Sequence, residues 1–144
     1  MTSSDPYDLQ RFIDAQRASY TRAVNELKAG RKQSHWIWYI FPQIQGLGRS
    51  AMAQTYAIAS LDEAKAYLDH PILGPRLREC TRLVTAMKGS PIGDILSYPD
   101  DLKFHSSMTL FAHAAPDNQI FLDALKIFFS AEFDGATLTR VLRF

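Results

Sequence analysis

The sequence predicts an all-α fold, and three observations support that prediction. Apolar residues recur at helical spacing through most of the chain, and glycine or proline ends several of these segments. No two segments alternate apolar and polar residues as paired strands would. With 144 residues, the chain has the length of one domain. We therefore expect a compact single domain over residues 1–144, an orthogonal bundle of several helices.

The first predicted helix begins at Asp5 and Pro6 and ends at Gly30. Asp5 suits the N-cap, and Pro6 suits the first helical position, where a missing N–H has no cost. Apolar side chains then follow helical spacing: Leu9, Phe12, Ile13, Tyr20, Val24 and Leu27. This pattern is typical of an amphipathic helix.

The segment WIWYIF, residues 36–41, has strand-forming residues but is apolar on both faces. A strand needs a partner, and no other segment offers one. We predict that His35 to Phe41 form a short buried helix or irregular turn, which Pro42 ends. A minor β or irregular element near residues 35–44 is the alternative.

Capping signals place the remaining helices. Ser60 and Glu63 form a capping box that opens a short helix to about Leu68, and a longer helix then runs to Lys88. Ser90 and Pro91 should start a short helix through Leu96, and the carboxylates of Asp100 and Asp101 suit the N-terminus of another helix. Asp117 is the expected cap of the next helix, and the tail TLTRVLRF should form a last short helix.

Composition excludes several classes of function. Sixteen basic and fifteen acidic residues give a net charge of +1, which provides no long-range field for a nucleic acid or an anionic membrane. A single cysteine, Cys80, excludes an intramolecular disulfide and a multi-cysteine metal site. The chain shows no signal peptide and no apolar run long enough to span a bilayer. We expect a cytoplasmic protein with no membrane partner. The charge balance disfavours a nucleic-acid partner, which ranks third because Arg31 and Lys32 precede the aromatic block and such interleaving can serve single strands.

Three blocks of sequence resemble one family. They are KQSHWIWYIFPQIQGLGRS, YAIASLDEAKAYLDHPILGPRLREC and DDLKFHSSMTLF, and together they resemble the domain-of-unknown-function 1810 family of small bacterial proteins. The resemblance extends from Tyr7 to about Phe129. It implies a compact, mainly helical fold and no known activity. Some members carry the label "calpastatin", which we discount because calpastatin inhibitory segments are disordered until bound, whereas 47% of this chain is hydrophobic.

The first block holds candidate ligand-binding residues. Trp36 and Trp38 either fill the core or form a stacking surface for a planar ligand, and a buried indole N–H needs a partner in either case. The following GLGRS is either a plain turn or an anion site, in which Arg49 would grip a phosphate or carboxylate near Ser50 and the turn amides. It is neither a P-loop nor a dinucleotide fingerprint.

The third block holds candidate catalytic residues. Lys103, His105 and Ser107 interrupt an apolar context, and a lysine near a serine can favour proton removal, with histidine as general base. The alternative is that the serines allow close helix packing, with hydroxyls bonded to the preceding turn. His35 from the first block could join His105. No glycine-x-serine-x-glycine elbow supports a hydrolase triad.

The other reactive residues have simpler interpretations. His70 is expected at a helix end and His113 near a helix C-terminus, and Cys80 in the core. No histidine pair has the spacing of a helical zinc motif, so we predict no metal and no cofactor. Arg76 and Arg78 could supply a second anion contact or form a solvated helix face.

Two functions remain open at the level of sequence. The first is a pocket for a small anionic, phosphate- or nucleotide-like compound, with or without catalysis. Its predicted lining is His35, Trp36, Trp38, Arg49, Ser50, Lys103, His105 and Ser107. The second is a non-catalytic protein-interaction module that exposes an apolar helical face.

Overall fold

Nine helices follow one another in the computed structural model, which describes residues 5–142. They are α1 Gln10–Lys28, α2 Ile37–Ile40, α3 Ala51–Thr55, α4 Leu61–Asp69, α5 Leu73–Thr85, α6 Ile92–Leu96, α7 Asp100–Ala114, α8 Gln119–Phe129 and α9 Gly135–Val141. Across this range the only β contact is an isolated parallel bridge between Ile44 and Ile58. The all-α prediction is confirmed, and so is the small β element near residue 44.

The first helix begins one turn later than predicted. The carboxylate of Asp5 accepts hydrogen bonds from the backbone N–H groups of Leu9 and Gln10, at 2.8 and 3.0 Å. Asp8 has a left-handed backbone, with φ of +51°, which interrupts helical geometry between Pro6 and Gln10. Asp5 therefore caps the helix from a preceding turn, and the predicted start at Asp5 and Pro6 is wrong.

Capping by short polar side chains sets three other helix starts. The Ser60 hydroxyl accepts from the Glu63 N–H at 3.1 Å, and the Glu63 carboxylate accepts from the Ala59 N–H at 3.0 Å, so the capping box is present with its return bond shifted by one residue. Ser50 caps α3 and Asp134 caps α9 in the same way.

Two predicted boundaries need correction. The helix expected to reach Lys88 ends at Thr85, and the residues after it form a turn. Asp117 was the predicted cap of the following helix, but the N-cap position of α8 is Asn118. Asn118 uses its side chain instead to donate to the carbonyl of Ala112 at 2.7 Å. Helix ends fray, and shifts of this size are common.

Helix α7 is the central element of the bundle. It packs against α4, α8, α9, α6 and α2, and every residue from Ser106 to Ala112 is buried. Surrounded in this way beyond its first turns, it has no continuous solvent-exposed face, which explains why its apolar residues are not confined to one side. The Phe104 ring meets Phe41 edge to face at 4.8 Å and thereby joins α7 to the residues that follow α2.

Two buried hydroxyl groups of α7 donate to carbonyl groups of the preceding helical turn. The hydroxyls of Ser106 and Thr109 donate to the carbonyls four residues earlier, at 3.2 and 2.9 Å.

Among the described helices, none is both long enough and apolar enough to cross a bilayer.

Candidate functional site

Two lysines from distant segments share one carboxylate at the start of α7. The Lys32 ammonium lies 2.6 Å from Asp100, and the Lys103 ammonium lies 3.4 Å from the other oxygen of the same carboxylate. Each lysine also lies over one indole ring, with Lys32 5.1 Å from the Trp36 centroid and Lys103 5.6 Å from the Trp38 centroid. We call Lys32–Trp36 the inner pair and Lys103–Trp38 the outer pair.

The inner pair is part of the core. Trp36 is 1% exposed, and its N–H donates to the Glu26 carboxylate at 2.9 Å. Burial alone would raise the pKa of Glu26, but hydrogen bonds from the Ser34 side chain, the Gln33 and Ser34 backbone and the Trp36 indole lower it to about 2. Glu26 therefore stays ionised and holds Trp36 in place.

The outer pair lies closer to solvent. The Lys103 side chain is 23% exposed, against 6% for Lys32. Trp38 is partly exposed, yet its N–H is buried and has no acceptor among residues 5–142. Since two ammonium groups share one carboxylate, the set of Lys32, Asp100 and Lys103 carries a charge of +1. That charge is least shielded at Lys103.

Lys103 lines a cavity of about 330 Å³, which we call the α7 cavity. Its walls come from the segment around the glycine turn, the start of α7 and the start of α9: Gln43, Leu47, Gly48, Pro99, Leu102, Lys103, His105, Ser106, Asp134 and Ala136. The fold thus brings the first and third blocks of the sequence together at one concave surface. Its volume is at the lower end of the range for small-molecule sites.

His105 is held in a fixed orientation at this cavity. Its ring stacks on Phe129, with centroids 4.0 Å apart and planes 4° from parallel, and its Nε2 lies 2.8 Å from the carbonyl oxygen of Glu132. A carbonyl oxygen only accepts hydrogen bonds, so Nε2 carries the hydrogen. The neutral ring therefore keeps its lone pair on Nδ1, as a hydrogen-bond acceptor or general base requires.

Asp134 contributes a second polar group to the α7 cavity. Its Oδ2 accepts from the Thr137 N–H at 3.0 Å and the Thr137 hydroxyl at 2.6 Å, and it lies 3.2 Å from the Ser106 hydroxyl, whose single hydrogen is shared with the Leu102 carbonyl. These contacts stabilise the negative charge on one oxygen. The other oxygen remains to accept a hydrogen bond from a hydroxyl or amine.

The predicted site residues divide into three groups: residues at the α7 cavity, residues buried in the core and residues on the surface. Lys103 and His105 line the α7 cavity, and the Trp38 ring lies under the Lys103 ammonium. Ser107 is completely buried, and its hydroxyl has no partner among residues 5–142. Trp36 is buried in the inner pair, as described above.

The remaining predicted residues lie on the surface. His35, Arg49 and Ser50 are exposed and line no part of the α7 cavity. The Ser50 hydroxyl accepts from the Ala53 N–H at 3.1 Å as the cap of α3. The carbonyl of Arg49 accepts from the Gln54 side chain at 2.9 Å. The structure does not bring these three side chains to Lys103 or His105.

The glycines of GLGRS have packing roles. Gly46 has φ of +97°, which favours glycine. A Cβ atom at Gly48 would lie 2.5 Å from the Cβ of Ala53, so glycine allows α3 to approach the turn. The five residues of α3 make a single short turn of helix. These observations favour the plain turn, with Gly48 serving as one wall of the α7 cavity.

Three other predicted residues have the expected surroundings. His70 lies at the end of α4, where its Nδ1 accepts from the Ile72 N–H at 3.1 Å, and His113 lies in the last turn of α7. Cys80 is buried, and burial raises the pKa of its thiol to about 12. A thiol in this state is an inert core residue. Within residues 5–142, no three histidine, cysteine or acidic side chains are grouped to hold a metal.

Sequence reasoning missed Asp100 as a shared partner and Asp134 as a wall of the cavity. A signal existed for Asp134, because an aspartate three residues before Thr137 fits an N-cap. No signal existed for the pairing of Lys32 with Asp100, since 68 residues separate them.

These features define a small all-helical protein with a partly exposed cavity, lined by Lys103 and Asp134, at the start of its central helix. Residues 6–141 match the family described as a protein of unknown function, DUF1810, and the chain belongs to that family. It is similar to the crystal structure of the conserved hypothetical protein Rv1873 from Mycobacterium tuberculosis, with 49% identity and a TM-score of 0.95. The similarity covers 97% of this chain and 100% of that chain. No curated protein matches the sequence.

Proposed function

We propose that this protein binds a small anionic molecule in the α7 cavity. The observation that carries the proposal is the position of Lys103, which lines the cavity while sharing Asp100 with a second, more deeply buried lysine. An anion beside Lys103 would compensate the excess positive charge of this set. Because the site is partly shielded from water, that interaction is stronger than at an open surface.

The other walls of the cavity support a narrower class of ligand. The Nδ1 atom of neutral His105 and the Oδ1 atom of Asp134 are both acceptors, so a ligand hydroxyl would satisfy either one. An anionic group on Lys103 and a hydroxyl group near His105 are the features of a small phosphorylated or carboxylated polyol. His105 would be the residue that exchanges a proton with such a hydroxyl.

Calorimetric titration tests this proposal with three probes: inorganic phosphate, a sugar phosphate and the corresponding free sugar. We expect the sugar phosphate to bind more tightly than either inorganic phosphate or the free sugar. Lys103→Met should weaken its binding about tenfold or more, because a hydrogen bond to a charged group contributes about 1.5–3 kcal/mol. His105→Gln should weaken the binding of the sugar phosphate and have a smaller effect on the binding of inorganic phosphate.

Lys28→Met is the matched control, since it removes one exposed lysine from the end of α1. It should bind the sugar phosphate as the wild type does. Equal loss in Lys28→Met and Lys103→Met would mean that only bulk charge matters, and the proposal would fail. The absence of any binding by the wild-type protein would also overturn it.

A protein-interaction module is the second candidate, and two apolar side chains favour it. Tyr98 is 79% exposed and Leu102 is 51% exposed, and both lie where α7 begins. If this surface binds another copy of the chain, sedimentation should show association that rises with concentration and is lost in Tyr98→Ser or Leu102→Ser. A monomer at all concentrations would exclude self-association through this surface.

A further inference from the structure

We propose that a second cavity, at the start of α5, binds a phosphate-bearing small molecule. This arginine cavity has a volume of about 560 Å³ and is lined by Tyr20, Leu68, Gly74, Pro75, Arg76, Arg78, Glu79 and Arg82. It shares no lining residue with the α7 cavity. It is therefore a separate site, and it does not depend on the function proposed for Lys103 and His105.

The arginine cavity concentrates positive charge in a chain that is nearly neutral overall. Three arginines and one glutamate line it, which leaves a local charge of +2. Arg82 pairs with Glu79 at 3.7 Å, whereas Arg76 and Arg78 have no carboxylate within 4.0 Å among residues 5–142. A doubly charged anion would balance this excess, and a phosphate ester supplies that charge in one group.

The guanidinium groups of Arg76 and Arg78 are oriented before any ligand arrives. Arg76 lies over the Tyr20 ring at 4.4 Å, and Arg78 lies over the Phe121 ring at 5.2 Å. Stacking on an aromatic face fixes the plane of a guanidinium and leaves its N–H edge for hydrogen bonds. Less side-chain entropy is then lost on binding than for a free surface arginine.

A buried hydrogen-bond network holds Arg76 on the side that faces the core. Its Nη1 donates to the Gln16 side-chain oxygen at 3.3 Å. The amide nitrogen of Gln16 donates to the Tyr39 carbonyl at 2.7 Å and lies 3.1 Å from the Tyr67 hydroxyl. Gln16 is 1% exposed, so this anchor is part of the core. One edge of Arg76 is thus fixed by the protein while the side chain lines the cavity.

Tyr20 adds a neutral side chain to the same wall. Burial, with smaller contributions from Cys80 and Glu79 and against the opposing charge of Arg76, raises the pKa of its hydroxyl to about 12. The hydroxyl therefore keeps its proton at neutral pH, and it is held by a hydrogen bond with the buried Cys80 side chain, so Tyr20 is a neutral wall beside the arginines.

The neighbouring cavity suggests where the rest of the ligand lies. It has a volume of about 690 Å³ and shares Leu68 and Arg78 with the arginine cavity. With Arg78 included, its charged walls are Lys65, Arg78, Asp69 and Asp117, two of each sign, so it has no excess charge. A phosphate would occupy the arginine cavity, and an uncharged polar body would extend past Arg78.

Pyrophosphate is the probe for this site, measured by calorimetry and by thermal shift at constant ionic strength, with sulfate as the comparison anion. We expect pyrophosphate to bind the wild type more tightly than sulfate does. Arg78→Gln should weaken pyrophosphate binding about tenfold or more, since it removes charged hydrogen-bond donors. Arg82→Gln, in the same cavity, should weaken it less because Glu79 already engages Arg82.

Two control variants separate this site from general charge and from the α7 cavity. Arg17→Gln removes an exposed arginine on α1 that is 70% exposed, and Lys103→Met alters the α7 cavity. Arg17→Gln should bind pyrophosphate as the wild type does, and Lys103→Met should retain the pyrophosphate binding that Arg78→Gln removes, because Lys103 does not line the arginine cavity. The proposal is overturned if neither Arg78→Gln nor Arg82→Gln weakens binding, or if Arg17→Gln weakens it equally. Loss of pyrophosphate binding in Lys103→Met alone would place the anion in the α7 cavity instead.

Discussion

The inner and outer lysine–tryptophan pairs have the same chemistry and different surroundings. Each places an ammonium over an indole ring, and both ammonium groups contact Asp100. The inner pair is sealed, since Trp36 is 1% exposed and its N–H is bound by Glu26. In the outer pair, Lys103 lines the α7 cavity, and the Trp38 N–H has no acceptor among residues 5–142.

This difference shows how a core and a candidate site can be built from neighbouring residues. A side chain whose polar atoms are all satisfied contributes mainly to stability. A side chain that keeps polar capacity at a concave surface is available to a ligand. We therefore expect changes in the inner pair to alter stability and changes in the outer pair to alter binding.

The largest expected effect is that of Lys32→Met. Lys32 and Asp100 are 6% and 17% exposed, and removing one member of a buried ion pair costs about 3–5 kcal/mol. Because Lys103 still contacts Asp100, we expect the free energy of unfolding to fall by about 3 kcal/mol in urea denaturation. Lys103→Met is the matched control and should cost less than about 1 kcal/mol. Equal losses in the two variants would contradict the distinction between the pairs.

The next effect separates the two tryptophans. Trp36→Phe removes a donor from an ionised carboxylate and should lower the free energy of unfolding by about 2 kcal/mol. Trp38→Phe removes an N–H that has no acceptor among residues 5–142, so the loss should stay below about 1 kcal/mol. Thermal denaturation of the two variants side by side measures the difference. A larger loss for Trp38→Phe would show that the indole N–H groups were assigned the wrong roles.

A smaller effect concerns the acid stability that Glu26 provides. The pKa of Glu26 is about 2 in the folded protein against an ordinary 4.5, so its contribution to stability is complete above pH 4.5 and disappears as the pH falls towards 2. Partial exposure limits this contribution to about 1–2 kcal/mol. Glu26→Gln should reduce the pH dependence of unfolding in that range. An unchanged slope would mean that other carboxylates account for the acid sensitivity.

Most of the fold could be predicted because it depends on local signals. Periodic apolar residues and the Ser60–Glu63 box identified the helices, and Pro42 follows the short buried one. The start of α1 was missed because the left-handed Asp8 has no reliable signature in a single sequence. The central role of α7 depends on contacts with five other helices, which the sequence does not specify.

The candidate site was predicted less well, for a different reason. Trp36 and Trp38 are two positions apart and chemically identical, and only their partners Glu26 and Lys103 distinguish them. Lys103 and His105 stand out in the sequence as polar residues in an apolar helix, and both line the α7 cavity. Arg49 and Ser50 stood out equally, yet they lie on the surface.

Anion quenching of each tryptophan tests most directly whether the outer pair is open and the inner pair sealed. Only Trp38 fluoresces as tryptophan in Trp36→Phe, and only Trp36 does so in Trp38→Phe. We predict that iodide quenches Trp38 more strongly than caesium does, because Lys103 attracts the anion, and that neither ion quenches Trp36. Lys103→Met should remove the preference for iodide. If Trp38 resists iodide as fully as Trp36 does, the proposed cationic site is contradicted.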